Sequence, residues 1–380
     1  MIFRLLSLRN SFSIKSFDIF TKIDKNTKHY QTIRMRNTIF FIFLFVIIAT
    51  AACKNSSKNS SAAELRRKDS LEKVKEAKEA AEKAEREKPR TAADIKLDKD
   101  IQFEKYTLED VYPYEDTTRI FQFDKIKEKL AHIENFMRMP HVYGVLDNYK
   151  NRNGEAAVVE NFVRNAYKRV SDTLGNEKYQ SAPLYQSENS KKPSRYGRDG
   201  SLVAIESSDT LDMVKVTGLS FEGTWYVPKR YVKSKGDSVK IAHVAVVDVT
   251  NQNICVLERT GENEWKIRSM NPATSGRHKP PHAMETPLGI FFVQEQKAKM
   301  FYFKDGTKSI EGYAPYASRF TNGGYIHGVP VNNPKGKIIE YSWSLGTTPR
   351  SHMCVRNASS HAKYVYDNFK PFQSLVVVID

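Results

Sequence analysis

The residues with the clearest chemical potential lie near the C-terminus, in Ser351-His352-Met353-Cys354-Val355-Arg356-Asn357, with Tyr325-Ile326-His327-Gly328 upstream. A thiol becomes a strong nucleophile when a nearby base takes its proton or an adjacent cation favours the thiolate. Two histidines and an arginine close to Cys354 supply that setting, and such a thiolate attacks carbonyl carbon and holds the acyl group as a thioester. A lone cysteine is more often an inert buried thiol. The residues around Cys354 favour the catalytic reading.

The other candidates for chemistry are weaker. Cys255 lies in an apolar strand-like run and is expected to be an inert core residue. Pairing with Cys354 would extinguish the nucleophile. His278 and His282 stand four apart, a metal-ligand spacing on a helix, but Pro280 and Pro281 rule out a helix interior there. A loop is expected instead, with no metal site. Gly323-Gly324 fits no phosphate-binding pattern and marks a turn before the His327 strand. No metal, nucleotide or other cofactor is required.

The segments around Cys354 and His327 resemble the L,D-transpeptidase catalytic family. Its signature is a His-Gly pair, a variable stretch, then Ser-His-Gly-Cys, an apolar residue and Arg or Asn. Thr286-Pro287-Leu288-Gly289-Ile290-Phe291 is similar to the family's Thr-Pro-x-Gly-x-Phe stretch, and Val376-Val377-Val378 is similar to its closing strand. The resemblance covers roughly residues 240–380. It implies that His327 is the general base, held through the backbone at Gly328. His352 and the amides around Met353 and Cys354 would form the oxyanion site. Arg356 would orient the site or meet a substrate carboxylate, and Ser351 would lend hydrogen-bonding support. The implied reaction is ping-pong on peptidoglycan stem peptides, with Cys354 taking the acyl group of a tetrapeptide stem, releasing D-alanine and passing the acyl to an amine. The same acyl-enzyme passed to water would make a carboxypeptidase, and a third reading is a non-catalytic peptidoglycan-binding lipoprotein.

Two features depart from the family pattern. Met353 stands where the family has glycine, so a positive φ there would strain it. The interval between His327 and Ser351 holds 23 residues, longer than usual. Its extra length, around Val331 to Trp343, is expected to form a flap over the site or an added hairpin at Lys337-Ile338-Ile339.

The elements that must position these residues are mainly strands. Ile241–Val249 and Ile254–Glu258 flank a turn, Trp265-Lys266-Ile267 follows another, and further strands are expected at Ile290–Val293, Met300–Phe303 and Ser374–Ile379. One helix is expected after Ser359, with Ala362, Val365, Tyr366 and Phe369 on one face. The expected fold is mainly β: an L,D-transpeptidase-type sandwich over 239–380 with one or two short helices, a small β-barrel before it over 178–235, and a helical N-terminal region. Leu202–Ile205, Met213–Val216, Gly223–Pro228 and Tyr231-Val232 make the short strands of that barrel, which resembles a bacterial Src-homology-3-like domain. Such modules bind cell-wall peptide or pack as spacers, and both readings stand. Two amphipathic helices are expected within 100–177. One carries Phe123, Ile126, Leu130, Ile133 and Met137, the other Val158, Val159, Phe162, Val163, Ala166, Tyr167 and Val170.

Upstream, 54–98 is a polar linker running into a charged spacer. From Ala62 to Lys88 it is almost entirely Ala, Glu, Lys and Arg, with Asp69–Lys73, Glu79–Lys83 and similar pairs in the favourable helical order, ended by Pro89. In 35–53 a basic start, the apolar run Thr38–Ala49 and Ala51-Ala52-Cys53 resemble a lipoprotein signal with Cys53 as the lipidated residue. Translation from Met35 would leave residues 1–34 outside the protein. These features imply an exported, lipid-anchored protein of the cell envelope, periplasmic and held at the outer membrane. The formal net charge of +16 comes with basic residues crowded into the first 34 positions and scattered elsewhere, so nucleic acid is not the expected partner. The excess suits anionic envelope polymers and lipid headgroups.

Overall fold

The computed structural model describes residues 60–139, 141–151, 154–206 and 212–380, with the side chains of 60–66 and 86 left aside. The leader, the signal segment and Cys53 lie outside the described residues. Among those described, no helix is long and apolar enough to cross a membrane.

Helix α1, Ser60–Glu87, is the charged spacer, and it stops two residues before Pro89. Leu71 and Val74 are exposed along it. Lys75–Glu79 and Lys78–Glu82 pair along it at 3.9 Å. Such solvated pairs contribute little.

The chain from Arg86 onward forms a second compact unit. Its largest sheet has six strands in the order Lys96–Lys99, Glu264–Pro272, Asn253–Gly261, His243–Asp248, Ser374–Ile379, Gly289–Phe292. His243–Asp248 and Ser374–Ile379 run parallel, Val244 beside Leu375 and Val246 beside Val377. Every residue of Ser374–Ile379 is buried, because both faces of the sheet are covered. This explains its unbroken valine run where a half-exposed strand would alternate.

One face packs Ala245, Val247, Val256, Phe291, Val376 and Val378 against Phe320, Ile326 and Val355 of a second, four-stranded sheet. The order there is Glu295–Phe303, Ile310–Thr321, Gly324–His327, Val355–Arg356. Helix α3, Ser359–Asn368, closes this core with Val365, and Phe369 at its C-cap joins it. The expected face of that helix is thus present, except that Tyr366 lies partly outside.

The other face of the six-stranded sheet is covered by α2, Phe123–Arg138, through Ile126, Leu130 and Ile133. Each such buried side chain contributes about 1.5–3 kcal/mol. Glu134 fixes the helix in place. It is fully buried, accepts two bonds of 2.8 Å from the Arg259 guanidinium and takes a third from Trp265 Nε1 at 2.9 Å. The helix predicted over 123–137 therefore packs on the six-stranded sheet, and the strand Lys96–Lys99 joins that sheet well before residue 239.

The second helix predicted within 100–177 is not formed. Asn165 Oδ1 accepts the backbone N–H groups of Tyr167 and Arg169 at 3.0 and 3.1 Å, which turns the chain into a small hairpin of Val163–Arg164 with Val170–Ser171. A side chain that satisfies the backbone locally competes with a helix. The apolar stripe is split accordingly, with Val159 buried and Val158, Phe162 and Val163 exposed.

The short strands predicted after 178 are present, but their antiparallel sheet recruits Val142–Leu146 from the segment expected to be helical. Its order is Thr224–Pro228, Met213–Gly218, Leu202–Ile205, Val142–Leu146, Val232–Gly236. It has its own core of Leu146, Leu184, Tyr196, Val203, Val216 and Val227. The join to the other two sheets is polar and specific. Phe292 N donates to Gly200 O at 2.9 Å, and the buried Asp199 carboxylate takes Arg319 Nη1 at 2.6 Å and Asn148 N at 3.0 Å.

Candidate active site

Cys354 sits immediately before the strand Val355–Arg356, which runs parallel to Gly324–His327 with Ile326 opposite Val355 and His327 opposite Arg356. Side chains alternate along strands, so Tyr325, His327, Cys354 and Arg356 share one face of this pairing. His327 and Cys354 are diagonal neighbours on it. Both line a cavity of about 610 Å³ together with Arg356, Tyr325, Tyr302 and Tyr149.

His327 is 4% exposed, and its Nδ1 lies 2.6 Å from Gly328 O. A carbonyl oxygen only accepts, so Nδ1 carries the proton and Nε2 keeps its lone pair. The imidazole is thereby fixed in the tautomer that a general base needs. Burial, with help from the Arg356 charge, pulls its pKa down to about 4, so it is neutral at pH 7. Gly328 is glycine because there is no room for more. A Cβ there would stand 2.6 Å from Ser359 Oγ and 2.8 Å from Pro315 Cγ.

The Cys354 thiol is half-buried and donates to Gly323 O at 3.4 Å. Burial pushes it up to about 11, against the Tyr325 N–H and the Arg356 charge, which favour the thiolate. At rest the pair is thiol and neutral imidazole. The Gly323-Gly324 turn thus does more than start a strand, for its first carbonyl accepts the Cys354 thiol. Cys255 is buried in the core, where it was expected, with its thiol pushed far up by burial.

The loop carrying Cys354 is clamped on three sides. Ser351 Oγ donates to Cys354 O, and Ser351 N donates to Ser275 O at 3.1 Å. Thr286 Oγ1 accepts from Gly276 N at 2.8 Å and donates to Met353 O at 2.7 Å. Met353 adopts φ = 108°, the strained conformation that glycine would take freely. It is also buried, and a Cβ on Gly276 would press within 2.7 Å of its Cα. The clasp through Thr286 and the close approach of Gly276 hold a backbone shape that Met353 would not choose by itself.

His352 lies at the cavity rim, exposed, with Nε2 3.4 Å from Asp305 Oδ2 in the turn between Glu295–Phe303 and Ile310–Thr321. Its placement is that of a rim residue facing a carboxylate. Arg356 is half-buried, and its backbone exchanges two bonds of 2.9 Å with Thr274.

The long interval after His327 forms a fixed wall with no added strand. Pro330, Asn332, Ser342, Ser344 and Leu345 line the cavity. Ser359 Oγ donates to Ile339 O at 2.6 Å, and Ser360 N donates to Glu340 Oε2 at 3.1 Å, pinning the segment to the first turn of α3. A carboxylate at that end of a helix is favoured by the helix dipole. Tyr149 reaches the same cavity from the loop after Val142–Leu146, with the Arg319 guanidinium 4.1 Å from its ring centre. No local sequence signal marks it. His278 faces Glu285 at 2.5 Å and takes no part in the cavity. Among the described residues, no cluster of His, Cys, Asp and Glu could hold a metal ion.

These features fall inside a stretch with known relatives. A 93-residue segment is 31% identical to YciB of Bacillus subtilis (strain 168), whose name assigns it provisionally to the L,D-transpeptidases. The match covers 24% of this chain and 46% of that protein, so the chain spans about half the length of this curated relative. Similar solved structures include an L,D-transpeptidase from Mycobacterium smegmatis, at 17% identity and TM-score 0.30 over 47% of this chain and 82% of that one. L,D-transpeptidase 1 of Mycobacterium tuberculosis is similar at 18% identity and TM-score 0.29, over 47% and 86%. Residues 242–379, the stretch that holds both Cys354 and His327, match the family model of the YkuD L,D-transpeptidase catalytic domain.

Proposed function

We propose that this chain is a cell-envelope L,D-transpeptidase that acylates Cys354 with a peptidoglycan stem tetrapeptide and transfers the acyl group to an amine. The observation that carries this reading is the shared face of Cys354 and His327, with the imidazole held in the tautomer that leaves Nε2 free to accept a proton. In the first half-reaction the thiol proton passes to Nε2 as sulfur attacks the carbonyl carbon before the terminal D-alanine. The tetrahedral adduct collapses by expelling the D-alanine amine, which leaves with that proton. In the second half-reaction an acceptor amine attacks the thioester, its proton goes to Nε2, and the thiol departs protonated. No atom is left unaccounted for, and no cofactor is called on.

The lipoprotein-like segment ending at Cys53 supports an anchored, periplasmic location, with α1 as reach between lipid and enzyme. The Asp199–Arg319 join supports a packing role for the five-stranded module. The test is to compare muropeptides from cells carrying the wild-type protein with those from cells carrying Cys354→Ala. The proposal expects fewer L,D-linked dimers and more tetrapeptide in the variant. Identical profiles would overturn it. Tripeptide alone as product, with no cross-link, would shift the reading to a carboxypeptidase.

A further inference from the structure

Three arginines gather on the ribbon that carries the nucleophile. Segment 274–277 runs beside segment 350–356, with Arg277 N donating to Ser351 O at 3.1 Å, Arg350 N to Ser275 O at 2.9 Å and Arg356 N to Thr274 O at 2.9 Å. All three side chains are half-buried, and the Nε atom of each is buried without a hydrogen-bond partner. Among the described residues none of the three guanidinium groups has a carboxylate within salt-bridge distance. Three other buried or half-buried arginines are paired with carboxylates. Arg259 lies on Glu134, Arg268 on Asp100 and Glu258, and Arg319 on Asp199.

An unpaired, desolvated guanidinium is costly, and three together add mutual repulsion. Burial and the charges of Arg277 and Arg350 both pull the Arg356 pKa down. Two acids of the same region are otherwise placed. Asp305 faces His352, and Glu311 lies in the cavity wall on the Tyr302 side. Arg350 is held in position by its stack on the Trp343 ring, 4.8 Å from the ring centre, and Trp343 is exposed beside the cavity wall.

We propose that Arg277, Arg350 and Arg356 form an anion subsite, joined to the Cys354 cavity through Arg356, that receives a carboxylate of the donor stem peptide. The inference rests on the transpeptidase reading and sharpens it. A planar guanidinium pairs two N–H groups with the two oxygens of a carboxylate, and a stem peptide offers such groups at its D-glutamyl and diamino acid residues. Binding there would neutralise the repulsion and orient the stem so that its terminal carbonyl meets the sulfur.

The test uses the full chain carrying Cys354→Ala, so that binding is read without turnover, with Trp343 fluorescence as reporter and Trp343→Phe as its control. Three tetrapeptides are titrated: one with free carboxylates, one amidated at the D-glutamyl carboxyl, one amidated at the diamino acid carboxyl. One amidation is expected to weaken binding about ten- to a hundredfold, the range of a charge-assisted hydrogen bond, and it identifies which carboxylate is bound. Arg277→Gln with Arg350→Gln should lose the same factor for the free peptide and nothing for that amidated one. Lys at both positions should restore part of it and guards against a folding defect. Equal binding of all three peptides, or an equal loss across them in the variants, overturns the subsite while leaving the reaction intact. If the wild-type thiol is acylated by none of them, the transpeptidase reading falls and the subsite with it.

Discussion

The resting state of the nucleophile has a measurable consequence. The Cys354 thiol is pushed up to about 11 by burial, and His327 is pulled down to about 4. At pH 7 the thiolate fraction is then about 1 in 10,000, some 300-fold below that of an ordinary cysteine with pKa near 8.5. A more basic thiolate is also a better nucleophile, which returns about tenfold. Alkylation of Cys354 by neutral iodoacetamide should therefore run about 30-fold slower than that of a free cysteine peptide. Its rate should climb about tenfold per pH unit from 7 to 10 without a plateau. Moving the proton from sulfur to the resting imidazole spans about 7 pK units, or roughly 9.5 kcal/mol. Proton transfer therefore belongs to the transition state with substrate present, not to the free enzyme. The assay is intact-mass alkylation across pH, with Cys354→Ala reporting any background from buried Cys255. A plateau between pH 5 and 8 would mean a preformed thiolate–imidazolium pair and would refute this reasoning.

Other expectations follow from particular contacts. His327 and His361 are buried neutral, the latter pulled down to about 3 by burial, so the folded state resists protons that the unfolded chain takes up near pH 6.5. Their contribution is complete above that pH and drains as pH falls towards 4 and 3. Urea unfolding should show about 4 kcal/mol lost from pH 7 to 5, roughly half of it absent in His361→Gln; pH-independent stability would contradict this. Asp199→Ala leaves Arg319 buried without its main partner and should cost about 3–5 kcal/mol, read as a lower urea midpoint; a change under 1 kcal/mol would show that water or Glu295 replaces the carboxylate. At Met353 the usual order of Ala over Gly should invert, because φ = 108° penalises any Cβ. Met353→Gly is expected to be more stable than Met353→Ala by about 1 kcal/mol, and equal midpoints would argue that the loop relaxes. Thr286→Val removes the clasp on Met353 O and should lower the acylation rate about tenfold with Km little changed; a loss confined to Km would place Thr286 in substrate binding.

Much of the nucleophile's neighbourhood was legible because its signals are local. Ser351, Cys354 and Arg356 fall within six consecutive positions, and Met353 at a glycine-type site raised the question of a positive φ, which the backbone there does adopt. The valine run of Ser374–Ile379 was readable as a strand for the same reason. Periodicity failed at 158–170, where an apolar stripe looked helical but the Asn165 side chain captured the local amides and set a hairpin. It also could not show that α2 packs on the six-stranded sheet, since a stripe gives the face of a helix and not its partner. Tyr149, the Gly323 carbonyl and the Arg277–Arg350 pair escaped notice for one shared reason. Each acquires its role only when strands distant in sequence are laid side by side, and none departs from ordinary composition where it stands.

The central claim is that Cys354 is an acyl-accepting nucleophile served by His327, and mass spectrometry of the intact protein tests it most directly. After exposure to a stem tetrapeptide, the wild-type chain should gain the mass of the tripeptide acyl group on Cys354 as one D-alanine is released. His327→Ala should slow this by at least about a hundredfold, and Cys354→Ala should show nothing. A folded wild-type protein that stays unmodified, or an adduct that forms equally fast without His327, would contradict the account.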